Sequence, residues 1–185
     1  MSTIVSVTDA NGGSTTYRVN VTAQSSTSVE QTHESIAAHA EAASENHAPY
    51  AFKDRVGNFP PNSYKCNKFV CDTANAAGAT VPQNRDPHGN YWPPTAGTWG
   101  NPHAKIPGWR VVTDPRAGDI VAQWRGYSDA SGHVGIIVDN KLNVISARDG
   151  GLSKDPLNVL FPSNYRNGAV KTGPLVFWRY FGVEQ

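Results

Sequence analysis

The 185-residue chain carries 16 Lys and Arg against 15 Asp and Glu, and this balance gives neither nucleic acid nor an anionic membrane surface a reason to bind it. Its length can bury a core as one domain, and 17 Gly and 13 Pro with only 17% charged residues exclude both a helical bundle and a disordered chain. Two cysteines exclude a disulfide framework, no stretch approaches the ~20 apolar residues of a membrane span, and the N-terminus lacks the basic start and apolar run of a signal peptide.

In chain order, Thr3 to Val7 and Tyr17 to Val21 alternate apolar and polar residues about Asn11-Gly12-Gly13, which predicts a β-hairpin. Gln24 to Ser28 is Ser/Thr-rich and reads as a linker, so residues 1–28 form an N-terminal hairpin appendage and residues 29–185 the main domain. Val29 to about Ala43 is rich in Ala, Glu and His and predicts a helix, with Ser28 as N-cap and Gln31 at the third position. Pro49, Pro60 and Pro61 make residues 46–65 a loop. A second helix begins near Cys66: Phe69, Val70, Thr73 and Ala77 recur at helical spacing, and Gly78 stops it. Cys66 precedes Phe69 and Val70 by three and four residues, so it shares their buried face in the first turn. Cys71 reads as a small buried hydrophobe, on a different face from Cys66 and unable to bridge to it.

Residues 82–116 hold seven prolines together with Tyr91, Trp92, Trp99 and Trp109, a long loop that either walls a groove or packs on itself. Strands follow at Asp119 to Trp124, Val134 to Val138, Leu142 to Ala147 and Leu175 to Phe181. Early helices followed by an antiparallel meander define an α+β fold.

A thiol becomes a useful nucleophile at neutral pH when a base stands by, and a helix N-terminus favours the thiolate. Cys66 opens a helix, and His133 stands where the loop Ser131-Gly132 becomes the strand Val134 to Val138. If Asp139-Asn140 is a two-residue hairpin turn, Ser146 falls directly opposite His133 and can orient the imidazole; a three-residue turn would put Ala147 there. Lys65 and Lys68, beside Cys66, either lower its pKa and favour an acidic peptide or form a solvated flank. His33, His39, His47, His88 and His103 show no metal-ligand spacing, so no metal or cofactor is expected.

Three motifs in order make these residues resemble a known family. Cys66-Asn67-Lys68-Phe69-Val70 resembles the nucleophile segment of the NlpC-type papain-fold cell-wall peptidases. Pro115-Arg116-Ala117-Gly118-Asp119 resembles their Pro-x-x-Gly-Asp signature, and Gly132-His133-Val134-Gly135-Ile136 their histidine strand. The resemblance covers roughly residues 29–150 and includes Pro49-Tyr50 ahead of the nucleophile loop. It implies a papain-like fold in which N-terminal helices carrying the nucleophile pack on an antiparallel sheet carrying the histidine. It also implies cleavage of amide bonds in peptidoglycan stem peptides, with Cys66 as nucleophile and His133 as base. The family's third polar residue is commonly His, Asp or Asn, where this chain offers Ser146. Trp92-Pro93-Pro94-Thr95-Ala96-Gly97-Thr98-Trp99 and Ile106-Pro107-Gly108-Trp109 are similar to segments of the amidase effectors injected by type VI secretion. That subgroup implies synthesis in the cytoplasm without a signal peptide, export to the target-cell periplasm, and a periplasmic immunity protein as partner. Two alternatives keep other functions open: a papain-fold acyltransferase or deamidase acting on protein or lipid, and a non-catalytic cell-wall-binding module.

Overall fold

The computed structural model of the chain describes residues 2–8, 14–20, 26–162 and 171–182. Strands β1 (Ser2–Thr8) and β2 (Ser14–Asn20) pair antiparallel as a two-stranded sheet of their own, with Val5 opposite Tyr17. The Asn11-Gly12-Gly13 turn lies outside the described residues. Helix α1 (Ser26–Glu45) begins earlier than the sequence suggests. Ser28 is therefore a helical residue, whose carbonyl accepts the Thr32 hydroxyl at 2.9 Å. Serines at 25, 26 and 28 are equivalent caps to a local reading, so the sequence does not choose among them. His33, Ile36, Ala37 and Ala40 recur at helical spacing and are all buried. His33, on a helix that the sequence shows as rich in polar residues, is 1% exposed, and its Nε2 donates to the Tyr180 carbonyl at 2.8 Å.

Helix α2 (Cys66–Ala76) buries Cys66, Phe69, Val70, Cys71, Thr73 and Ala74. The Pro-rich segment holds strands β3 (Asn84–Arg85) and β4 (Tyr91–Trp92) and the short helix α3 (Ala96–Trp99), whose N-cap Thr95 accepts from the Thr98 amide. The main sheet has six strands: β5 (Trp109–Val112), β6 (Ile120–Arg125), β7 (Gly132–Ile137), β8 (Asn143–Arg148), β9 (Gly151–Pro156) and β10 (Thr172–Tyr180). Their order is β5-β10-β6-β7-β8-β9 and every pairing is antiparallel. Helix α4 (Leu157–Leu160) follows β9.

Alternation along the strands makes two cores. Ile120, Ala122, Val134 and Ile136 face α1, α2 and α3, together with Trp99, Trp109 and Trp178. Val121, Ile137 and Val144 face the other way, under Leu160 and Phe161. Trp99 stacks edge-on against Trp109 and Trp178 at 5.3 and 5.9 Å, and the Trp178 indole donates to the Trp99 carbonyl at 2.6 Å. Trp99 and Trp109 are therefore core, and of the loop tryptophans Trp92 alone lines a cleft. The carboxylate of Asp119, fully buried, accepts from the Arg116 amide and from Arg179 Nε and Nη2 at 2.9–3.0 Å, which ties the turn before β6 to β10.

Candidate active site

Cys66 is the first residue of α2 and His133 the second of β7, and both line one cleft of about 800 Å³. A second recess of about 430 Å³ adjoins it and contains Cys66 but not His133; its walls include Phe52, Phe59 and Trp92. Gly132 lines both. With φ at 146° and a would-be Cβ 2.3 Å from the Gln123 carbonyl oxygen, only glycine fits at this wall shared by the two recesses.

The N-cap position of α2 is Lys65, which makes no side-chain cap, so the first-turn amides are left for other acceptors. Burial pushes the Cys66 thiol up from its ordinary pKa, opposed by backbone hydrogen bonds from Val134, Asn67 and Cys66 itself and by the charge of Arg125. The lysines do not contribute as the sequence suggests. Lys65 is buried, with Nζ donating to the carbonyls of Ser63 and Phe52 at 2.7 and 3.1 Å. Lys68 pairs with Asp72 one helical turn on. Tyr50 likewise braces α2, its hydroxyl donating to Asp72 at 2.8 Å and its ring meeting Phe69.

His133 sits on the sheet face of Val121, Ile137 and Phe161, its ring 5.6 Å from that of Phe161 and partly open to the cleft. Burial, then the guanidiniums of Arg125 and Arg148, lower its pKa to about 3, so the ring is neutral at pH 7. Thiol and imidazole are thus both neutral in the resting state. No hydrogen bond joins them among the described residues, a looseness that free enzymes commonly show before substrate tightens the site.

Ser146 is fully buried and its Oγ lies 3.0 Å from His133 Nε2. The contact expected from the sequence is present, but the register behind it differs. Asp139 accepts from the Lys141 and Asn143 amides at 3.0 Å, Leu142 takes a φ of 59°, and Val138 N donates to Asn143 O, so the turn is longer than Asp139-Asn140. Ile136 then faces Ile145, which sets Ser146 beside Gly135 and diagonal to His133 on the same face. Because Gly135 has no side chain, the imidazole can lean across it to reach Ser146. Sequence reasoning missed Arg125, and one signal was available. Gln123 and Arg125 are polar at alternate positions of a strand whose other residues, Ile120, Val121, Ala122 and Trp124, are apolar, which is unusual unless they line a site.

A helix that begins at a cysteine, packed on an antiparallel sheet whose strand carries a histidine in the same cleft, is the arrangement that a papain-like cysteine hydrolase requires. Residues 57–147 match the model of the family described as the CHAP domain, whose members are cysteine- and histidine-dependent amidases or peptidases. Over those residues the chain is similar to the CHAP domain, and the motifs of the NlpC-type resemblance at Cys66 and His133 fall within the same segment. The matched segment, just under half of the chain, includes Cys66, His133 and Ser146. Among curated proteins none matches. Among solved structures, one similar chain comes from the crystal structure of the type VI native effector-immunity complex Tae3-Tai3 from Ralstonia pickettii. It is 20% identical with a TM-score of 0.44, over 80% of this chain and 98% of that one. No helix among the described residues is long and apolar enough to cross a membrane.

Proposed function

We propose that the chain hydrolyses amide bonds of peptidoglycan stem peptides, with Cys66 as nucleophile, His133 as general base and acid, and Ser146 as the residue that orients His133. The observation that carries this reading is the shared cleft of Cys66 and His133, with His133 Nε2 held by a buried hydroxyl. With Nε2–H donating to Ser146 Oγ, the lone pair of Nδ1 is available as base. Nδ1 takes the Sγ proton as the thiolate attacks the amide carbonyl carbon. Amides of the first turn of α2 donate to the oxyanion that forms. The imidazolium passes its proton to the departing amine, which leaves a thioester. Water then attacks the thioester, giving its proton to His133, and the carboxylic acid departs as the thiol is restored. The neutral resting pair fits this cycle, because the proton moves only when substrate completes the site. Mass spectrometry of muropeptides after digestion tests it: wild type should release new fragments and Cys66→Ala none, and intact muropeptides with wild type would refute it.

The resemblance at Trp92 to Trp99 and Ile106 to Trp109 supports a finer reading, that of an antibacterial effector exported to the target-cell periplasm and restrained in the producer by a periplasmic immunity protein. Peptidoglycan lies outside the inner membrane, so expression confined to the cytoplasm should be harmless and export to the periplasm lytic. Equal toxicity in both compartments would point to an intracellular substrate.

A further inference from the structure

His133 stands on a central strand with a cation on either side. Arg125, on β6, and Arg148, on β8, both line the cleft, and both occupy the sheet face of His133. Arg125 is 6% exposed and fixed: Nε donates to Gln123 Oε1 at 3.1 Å, Nη2 to the Leu160 carbonyl at 3.0 Å, and the guanidinium lies 5.5 Å over the Phe161 ring that also meets His133. Arg148 is 54% exposed and only loosely paired, its Nη1 3.5 Å from Asp155 Oδ2. A surface pair of that kind holds its partners weakly, so the Arg148 fork is available to a ligand.

The cleft is also divided in charge. The carboxylates of Asp129 and Asp149 act on Tyr64, whereas the charges acting on His133 are the two guanidiniums. An anionic group entering the cleft is therefore drawn to the His133 side and repelled from the Tyr64 side. Placing two cations beside a general base disfavours its protonated form, and an anion between them would relieve that penalty during catalysis.

On the hydrolase reading above, the side of the substrate is also determined. His133 must reach the departing nitrogen, so the residue supplying the amine occupies the recess with His133, and the acyl side lies in the aromatic recess that His133 does not line. We propose that the enzyme selects substrates whose amine-side residue carries a free carboxylate, bound by the guanidinium fork of Arg148 with the fixed charge of Arg125 behind it. This rests on the amide-hydrolase reading and adds to it which half of the scissile bond carries the recognised anion.

The test uses matched stem-peptide substrates that differ only in whether the amine-side carboxylate is free or converted to the primary carboxamide. Wild type should cleave the free acid with kcat/KM about tenfold or more above the amide, as expected for loss of a charge-assisted contact. Arg148→Gln should bring the ratio of the two close to one, mainly through the free acid, and Arg148→Lys should restore part of it. Arg148 is half exposed, so these variants should keep the wild-type melting temperature. Equal wild-type rates on acid and amide would overturn the proposal alone, as would an Arg148→Gln variant that keeps the wild-type preference. Failure to cleave either substrate would overturn the hydrolase reading, and this proposal with it.

Discussion

Ser146→Ala isolates the contact between Ser146 and His133. It removes an oxygen 3.0 Å from Nε2 and adds no atom to a fully buried position. A neutral hydrogen bond is worth about 0.5–1.5 kcal/mol, and leaving a buried N–H without partner costs about 1–3 kcal/mol. At about 1.36 kcal/mol per tenfold, these bounds span from roughly twofold to somewhat over a hundredfold in rate. The ring is partly open to a wide cleft, so water can take the vacated position and the lower half of the range applies. The expected outcome is a loss of about tenfold in kcat/KM on a soluble muropeptide, with the melting temperature within a few degrees of wild type. Ser146→Asp should move the acidic limb of the pH–rate profile upward, because a carboxylate favours the imidazolium. Wild-type activity in Ser146→Ala would remove Ser146 from the site. A loss as large as that of His133→Ala would show that the hydroxyl does chemistry rather than orient a ring.

Cys66→Ala and His133→Ala should each abolish hydrolysis and the double variant should be no worse, since they act as one unit; additive losses measured by single-turnover kinetics would contradict this. Gly135→Ala should be more damaging than Ser146→Ala. Its Cβ would lie 2.6 Å from Val144 Cγ1 and 3.0 Å from Ser146 Cβ, and overpacking of this kind costs about 1–3 kcal/mol, readable in a denaturant melt; wild-type stability would refute the close approach of β7 and β8. Because burial lowers His133 to about 3, kcat/KM should hold its plateau well below pH 6, and alkylation of the raised Cys66 thiol by iodoacetamide should keep climbing above pH 8; an acidic limb near 6.5 would contradict the burial of the ring. His133 and His33 both titrate lower in the folded chain than when unfolded. The stability they contribute is therefore full above about pH 6.5 and is lost as pH falls through the range below it, and His33→Gln should flatten part of that slope in denaturant titrations; an unchanged slope would exclude His33 as a contributor.

What the sequence made legible followed periodicity and motif. β6, β7 and β8, whose strands are dominated by buried apolar positions, lie where the alternation put them, and Cys66 opens its helix as the spacing of Phe69 and Val70 required. β9 was invisible because its sequence, Gly-Leu-Ser-Lys-Asp-Pro, belongs to a polar sheet edge with no residue fully buried. β5 lay hidden inside a Pro-rich stretch whose composition argues for loop, though Trp109 and Val112 find partners on β10. At the site, the pairing of His133 with Ser146 was anticipated through a turn that does not exist. Two residues of register separate the expected and observed pairings, and an even slip keeps a side chain on its own face. The two arginines could not be placed, because their meaning depends on which strands flank β7.

The position of β10 bears on how the domain is completed. The ladder from β6 to β9 joins neighbours in sequence and can close hairpin by hairpin, whereas β10 enters between β5 and β6, far earlier in the chain. It brings the Trp178 indole to the Trp99 carbonyl and Arg179 to the buried Asp119 carboxylate. Closing such separated contacts is slow relative to local hairpins, so docking of β10 is a late event in assembly. Until it occurs, Asp119 has a buried charge without its guanidinium and β5 has no neighbour. The strand bearing His133 sits next to the unfilled gap's far wall, β6, so the imidazole gains a rigid support only after the C-terminal strand has docked.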